Sequence, residues 1–222
     1  MTKKNKISFI LNLFIFILVL PDAIVNFTSI PKIGLGLDSI KYFTVQSNIF
    51  AGIVSLIFVI YYILIFAGKK AEIPKFVYVL KFIVTIDLIL TFCTVLFYLA
   101  PTIPTGFLSM YNYTNFFFHF LIPILTVVSF VFFENKSTWK FWITLVGIGH
   151  MFLYGVAYLI ISFANFGNAE LLYKTYDWYG FSRNGTTGLV ITMVLIFVLT
   201  YLSSLLVWWI INKMHNKKSA LR

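Results

Sequence analysis

Runs of about 20 mostly apolar residues recur along this chain and decide what it can fold into. A helix of that length crosses the hydrocarbon core of a bilayer. Six such runs lie at roughly 7–27, 44–67, 75–99, 114–133, 139–163 and 187–212, each bounded by charge, Pro, Gly or Asn. None alternates with the period of two that is typical of membrane barrels. We therefore predict an all-α bundle of six transmembrane helices in one domain, 1–222.

The basic residues indicate how such a bundle is oriented. Of the 17 Lys and Arg residues, twelve fall in the N-terminal segment, the 68–75 and 134–140 loops and the C-terminal tail, all on one side of a six-helix bundle. Cytoplasmic loops are enriched in Lys and Arg, so both termini are predicted to be cytoplasmic. Orientation accounts for the net charge of +10 better than nucleic-acid binding does. The basic start lacks a small-residue cleavage site and is interpreted as a retained first helix.

Other features narrow the class of protein. The only cysteine, Cys93, lies inside an apolar run, so neither a disulfide framework nor a thiolate metal site is expected. No nucleotide-binding, zinc-protease or serine-hydrolase motif is present, and we predict no metal and no cofactor. The bias toward Phe, Ile, Lys and Asn is typical of an AT-rich bacterial genome and favours a bacterial plasma membrane. The sequence does not indicate an oligomeric state.

The segment KYFTVQSNIFAG places polar side chains at the start of an apolar run. Lipid cannot hydrogen-bond such side chains, so within spans they usually face the bundle interior. Four predicted helices carry them at helical spacing. The sets are Thr44, Ser47, Asn48, Gly52 and Ser55; Asp87, Thr91, Thr94 and Tyr98; Asn112, Asn115, His119 and Thr126; and Gly147, His150, Tyr154 and Tyr158. Interhelical packing by small and hydroxyl residues is the alternative explanation, above all for Ser55, Thr91, Thr94 and Thr126.

Depth divides the ionisable residues inside the spans into two groups. His119 lies roughly 7 Å into the fourth helix, at the level of Thr44 and Asp22 near the outer surface. Asp87 and His150 lie nearer the midplane, where they could pair with each other. Pro123 follows His119 by four residues, and because proline has no N–H, it leaves the carbonyl of His119 without its helical partner. The helix is expected to loosen at His119.

These residues suggest acyl transfer. Thr44 supplies a hydroxyl nucleophile and His119 a base to activate it. The N-terminus of the second helix, with Ser47, Asn48 and Asn115, would bind the substrate or stabilise an oxyanion. Asp22 or Asp87 would orient the imidazole, and His150 is a possible relay. The simpler alternatives are that Thr44 caps its helix and that His119 is a packed interior histidine.

Two segments resemble signature regions of a known family. KYFTVQSN and FFFHFLIPIL are similar to segments of the androgen-induced-protein family and its bacterial six-helix membrane relatives, and the similarity spans most of the chain. The bacterial patterns YFT-x-x-SN and H-x-x-x-P are matched by Tyr42, Phe43, Thr44, Ser47 and Asn48, then His119 and Pro123. Some animal members hydrolyse fatty acid esters of hydroxy fatty acids with a Thr and a His from these regions. The resemblance therefore implies a lipid or fatty-acyl ester substrate, with Thr44 and His119 as the catalytic pair.

Two other functions fit the same sequence. A small-molecule or proton-coupled transporter could use Asp87, His119 and His150 as a relay, although the two halves of the chain lack the internal similarity that carriers often show. A non-enzymatic membrane assembly or regulatory protein is the third hypothesis.

Overall fold

The computed structural model describes residues 2–28, 36–70, 72–102, 106–111, 114–134, 138–167 and 175–220. Within these ranges the chain is helical and contains no strand. We number six helices in chain order: α1, Lys3–Phe27; α2, Phe43–Phe66; α3, Lys75–Thr94, extended by Val95–Leu99 and Ala100–Thr102; α4, made of Thr114–Phe116, Phe117–Leu121, Ile122–Val128 and Ser129–Glu134; α5, Ile143–Gly147 and Gly149–Ala164; and α6, Gly185–Ala220. The all-α prediction is confirmed for the described residues.

Five helices are long and apolar enough to cross a membrane, in α1, α2, α3, α4 and α6. Their apolar side chains also face outward, as at Ile53 (53% exposed) and Leu195 (57% exposed). Soluble monomers rarely expose large continuous apolar surfaces, whereas lipid-facing helices require them. These features support a multi-pass membrane protein.

The predicted fifth span, 139–163, differs from the structure. Helix α5 is interrupted at Ile148, and its longer part, Gly149–Ala164, has 16 residues. Gly147 and Gly149 flank the interruption, and glycine is a poor helix former. Gly147 also allows close packing, since a Cβ there would lie 2.4 Å from Ser204 Oγ and 2.5 Å from the Phe82 ring. The break therefore lies where α5 approaches α3 and α6.

A buried polar cluster joins α1, α2, α3 and α4. Lys81 Nζ donates to Asn12 Oδ1 at 2.7 Å and to Ser55 Oγ at 3.0 Å. The Asn12 amide donates in turn to Glu134 Oε1 at 2.5 Å, and Ser8 Oγ donates to the same oxygen at 3.0 Å. All five side chains are fully buried. Because lipid offers no hydrogen bonds, this cluster holds the four helices together with polar contacts that cannot be exchanged for solvent.

Replacing Lys81 with Met tests this cluster. Lys81→Met leaves Asn12 Oδ1 and Ser55 Oγ without their donor, and we expect a loss of about 3 kcal/mol or more of unfolding free energy, as when one partner of a buried polar pair is removed. Thermal unfolding of the purified protein in detergent measures the effect. Lys75→Met is the matched control, because Lys75 is exposed at the start of the same helix.

Adding Glu134→Gln to Lys81→Met removes the buried carboxylate as well, and part of the lost stability should return. A double variant that is less stable than the wild type by the full sum of the two single effects would show that the two side chains act independently.

Candidate functional site

Thr44 and His119 line one cavity of about 260 Å³. It lies where α2 begins, α3 ends and α4 begins, which we call the Thr44 end of the bundle. Its walls come from α1, α2, α3, α4 and the connection before α6. The lining residues are Asn26, Tyr42, Thr44, Val45, Leu99, Asn115, Phe118, His119 and Tyr179. Thr44 is half-buried and His119 is 8% exposed, so the hydroxyl is the more accessible of the two functional groups.

A wide helical turn places His119 in this cavity. Phe117–Leu121 is π-helical, and Pro123 follows two residues after it. The missing N–H of Pro123 cannot close the ordinary helical bond to residue 119, which is the physical reason for the change of pitch. The expected loosening at His119 is confirmed.

Helix α3 repeats the same arrangement on another wall of the cavity. Its π-helical turn, Val95–Leu99, lies two residues before Pro101, and Leu99 lines the cavity. Two helices therefore widen at the same end of the bundle, each just before a proline. Pro101 carries the same signal in the sequence as Pro123, but only Pro123 was predicted to loosen its helix.

Asn48 connects the two helices that carry Thr44 and His119. Its side-chain nitrogen donates to the carbonyl of Thr44 at 2.8 Å and to the carbonyl of Phe118 at 3.1 Å. Phe118 precedes His119, so the fully buried amide fixes one backbone relative to the other. The sequence suggested that Asn48 donates to an oxyanion. In the structure its N–H groups bind these backbone carbonyls, and Asn48 does not line the cavity.

The other amide and hydroxyl candidates fall in different places. Ser47 is buried, donates to the carbonyl of Thr44 and contacts Thr91 Oγ1 at 3.3 Å, so it too lies behind the cavity wall. Asn115 is exposed and lines the cavity. Asn112, which the sequence placed on the same stripe, lies outside the described residues.

Tyr179, which the sequence analysis did not select, caps the N-terminus of α2. Its hydroxyl accepts a hydrogen bond from the N–H of Phe43 at 2.8 Å and also interacts with the N–H of Thr44. The sequence suggested that these N–H groups are open to an oxyanion, but the tyrosine occupies them. Burial raises the pKa of Tyr179 to about 12, so the phenol keeps its proton at neutral pH. The Tyr179 hydroxyl also interacts with the Tyr154 hydroxyl, and the Tyr179 side chain lines the cavity beside Thr44.

Asp87 and His150 form a separate pair. His150 Nδ1 lies 2.7 Å from Asp87 Oδ2, which confirms the pairing suggested by their depth. Asp87 is fully buried, and among the described residues its second oxygen has no hydrogen-bond partner. Asp87 therefore does not hydrogen-bond to His119, and the role of orienting this imidazole does not fall to it. The side chain of Asp22 lies outside what the structure describes.

Asp177 holds the connection that carries Tyr179 against the bundle. Tyr158 and the N–H of Phe181 donate to its Oδ1, and the hydroxyl and N–H of Ser182 donate to its Oδ2. Burial alone raises the pKa of Asp177, but these hydrogen bonds outweigh burial and bring the pKa below its usual value. The neighbouring Trp178 donates to the Tyr154 hydroxyl at 3.0 Å, so this part of the connection caps the Thr44 end.

In the described part of the chain, no three His, Cys, Asp or Glu side chains are grouped as metal ligands.

Comparison of the sequence and fold with protein-family models, curated proteins and solved structures finds no match. The function therefore has to be inferred from the cavity itself.

Replacing Asp177 with Asn tests the capping segment. Asp177→Asn keeps one acceptor but places an NH₂ group against two of the donors, for example those of Ser182. We expect the free energy of unfolding to fall by about 1–3 kcal/mol at pH 7. Because hydrogen bonding lowers the pKa from 3.8, the wild-type carboxylate loses its contribution as the pH falls below that value. The stability difference between wild type and variant should therefore narrow under acid conditions.

Unfolding curves from pH 7 down to pH 3 measure this difference, with Asp38→Asn as the control because Asp38 is exposed on the same end of the bundle. A difference that stays constant across that pH range would contradict the assigned role of the Asp177 charge.

Proposed function

We propose that this protein is a membrane hydrolase of lipid-like esters in which Thr44 is the nucleophile and His119 the general base. The single observation that carries the proposal is the common cavity of these two side chains. A threonine hydroxyl is a weak nucleophile alone and requires a base within reach, and a histidine is suited to that task near neutral pH.

The reaction proceeds in two steps. His119 takes the proton of Thr44 as Oγ bonds to the ester carbonyl carbon, and the carbonyl oxygen becomes an oxyanion. Collapse of this intermediate breaks the bond to the alcohol oxygen, which receives the proton from His119. Water, deprotonated by His119, then attacks the acyl-threonine. The acid is released as the Oγ–acyl bond breaks and His119 returns the proton to the Thr44 oxygen. Tyr179 and Asn115 carry the donors for the oxyanion, since both line the cavity and the phenol is neutral.

The resemblance to the androgen-induced-protein family supports the same pair of residues and extends the proposal to the substrate class. Six spans with both termini in the cytoplasm would place the Thr44 end in the outer leaflet of a bacterial plasma membrane. An ester dissolved in that leaflet would reach the cavity from the side of the lipid. The proposed substrate is an ester of the fatty acid–hydroxy fatty acid class.

A second, wider cavity suits the acidic end of such an ester. It has a volume of about 540 Å³, shares Tyr42 and Tyr179 with the candidate site and is lined by Lys41 and Arg183. Neither cation forms an ion pair with a carboxylate of the described chain. Asp177 lines this cavity too, but its oxygens already accept four hydrogen bonds. Lys41 and Arg183 therefore offer their charges to the free carboxylate of the alcohol half.

The Asp87–His150 pair, in which Asp87 is fully buried, favours a second candidate, a proton-coupled carrier. Ionisable residues within membrane spans often belong to proton relays. Against it, Asp87 does not hydrogen-bond to His119, so the three residues suggested for a relay do not form one connected chain.

Substitution at the two proposed catalytic residues tests the hydrolase. Thr44→Ala should abolish ester hydrolysis by the purified protein, and His119→Ala should lower the rate by about 10²–10⁴-fold, because a general base contributes that much. The double variant should be no slower than Thr44→Ala, since residues that act in one step are not additive. A hydroxyl-reactive fluorophosphonate should label Thr44 in the wild type.

Thr126→Ala is the control for loss of a buried hydroxyl, because Thr126 lies on α4 and does not line the cavity. Full activity in Thr44→Ala with retained folding would refute the nucleophile. Proton-driven flux in liposomes that disappears in Asp87→Asn, with no ester hydrolysis in the wild type, would favour the carrier instead.

Removing the two cations tests the proposed carboxylate contact. In Lys41→Ala/Arg183→Ala we expect KM for an ester with a free carboxylate to rise roughly ten-fold, because hydrogen bonds to a charged group are lost. KM for the methyl-blocked form of the same ester should stay the same. An equal rise for both forms would show that the charge of the substrate plays no part.

A further inference from the structure

We infer that the acyl group transferred to Thr44 is short, with about three to five carbons beyond the carbonyl. This inference rests on the proposed function and specifies which half of the ester enters the bundle. It is based on a third cavity, the inner cavity, which also reaches Thr44 and has a different size and lining from the one that contains His119.

The inner cavity extends from Thr44 toward α3, α5 and α6. Thr44 lines both it and the cavity with His119, whereas His119 lines only the latter. Its other walls are mainly apolar and buried, with Leu90, Met151, Tyr158 and Met193 each at most 3% exposed. A site of this kind accepts hydrocarbon and excludes water.

The position of His119 determines which half of the ester goes where. After the first bond forms, the imidazole has to return its proton to the oxygen of the leaving alcohol. The alcohol half must therefore lie on the same side of Thr44 as His119, in the cavity of about 260 Å³. The acyl half then points to the other side, into the inner cavity.

The size of the inner cavity limits the acyl chain. Its volume is about 50 Å³. A water-sized group needs roughly 10–15 Å³ measured in this way, so the cavity holds about three to five such groups. A butanoyl or hexanoyl chain fits these limits, and a palmitoyl chain does not. Any long chain of the substrate therefore belongs to the alcohol half.

Met193 is the residue that we expect to set the limit. It lies on α6 and lines the inner cavity, and its methyl group packs where a Cβ on Gly155 would be only 2.9 Å away. Because α5 leaves no room on that side, the Met193 side chain is held in place. Leu189 lies one turn earlier on α6 and is fully buried in the same apolar cluster, but it does not line the cavity.

The experiment is a chain-length profile. Hydrolysis of 4-nitrophenyl acetate, butyrate, hexanoate, octanoate and palmitate is measured with wild type, Met193→Ala and Leu189→Ala. In the wild type kcat/KM should peak at butyrate or hexanoate and fall about ten-fold or more toward palmitate, because methylenes that the apolar cavity cannot accommodate lose their favourable contacts. Met193→Ala should move the peak by about two carbons toward longer chains. Leu189→Ala, which creates a similar packing defect elsewhere, should leave the peak where it is.

Met193→Val provides a milder truncation if the alanine variant does not fold, and its peak should move in the same direction. Palmitate hydrolysed as fast as butyrate by the wild type, or equal shifts in Met193→Ala and Leu189→Ala, would overturn the inference while leaving the hydrolase intact. The absence of hydrolysis for every ester, with no phosphonate labelling of Thr44, would instead remove the proposed function on which the inference depends.

Discussion

Hydrocarbon offers no hydrogen bonds, so polar side chains between these helices are stabilised chiefly by partners within the bundle. The chain meets this constraint in two ways. Around Lys81, Asn12 and Glu134 the side chains bond to one another across four helices. At the Thr44 end, Asn48 instead binds backbone carbonyls of α2 and α4 and leaves room in front of them for a cavity. The first arrangement fixes the helices, and the second holds Thr44 and His119 in register.

That register depends on defects in the helices themselves. In a regular α4, the N–H of residue 123 would donate to the carbonyl of His119. In a regular α3, the N–H of residue 101 would likewise donate to the carbonyl four residues before it. Pro123 and Pro101 prevent this, and the π-helical turns that result widen both helices at one end. The cavity is thus built by local losses of helical hydrogen bonding, which the segment around Asp177 covers.

Much of the fold could be predicted from hydropathy, because the length of an apolar run fixes whether a helix can span a membrane. The interruption at Ile148 could not, since an apolar residue between two glycines does not change the mean hydropathy. The pair of Asp87 and His150 was predictable from the similar depth of the two residues in α3 and α5. The cluster of Lys81 and Glu134 was not predicted, because its members come from different helices that only packing brings together. Their partners are set by packing, which no single helical stripe reveals.

The candidate site shows the same division between what is local and what is not. Thr44, His119 and Pro123 could be selected from the sequence because their signals lie within one helix. Tyr179 could not, because it lies in an irregular connection, and its contact with Phe43 joins residues 136 positions apart. Yet this contact decides the chemistry of the helix terminus. By occupying backbone N–H groups that would otherwise face the cavity, the phenol replaces them as the donor beside Thr44. In the proposed hydrolysis, an oxyanion at this site would therefore be stabilised by a side chain from the cap, so the proposal involves the cap as well as Thr44.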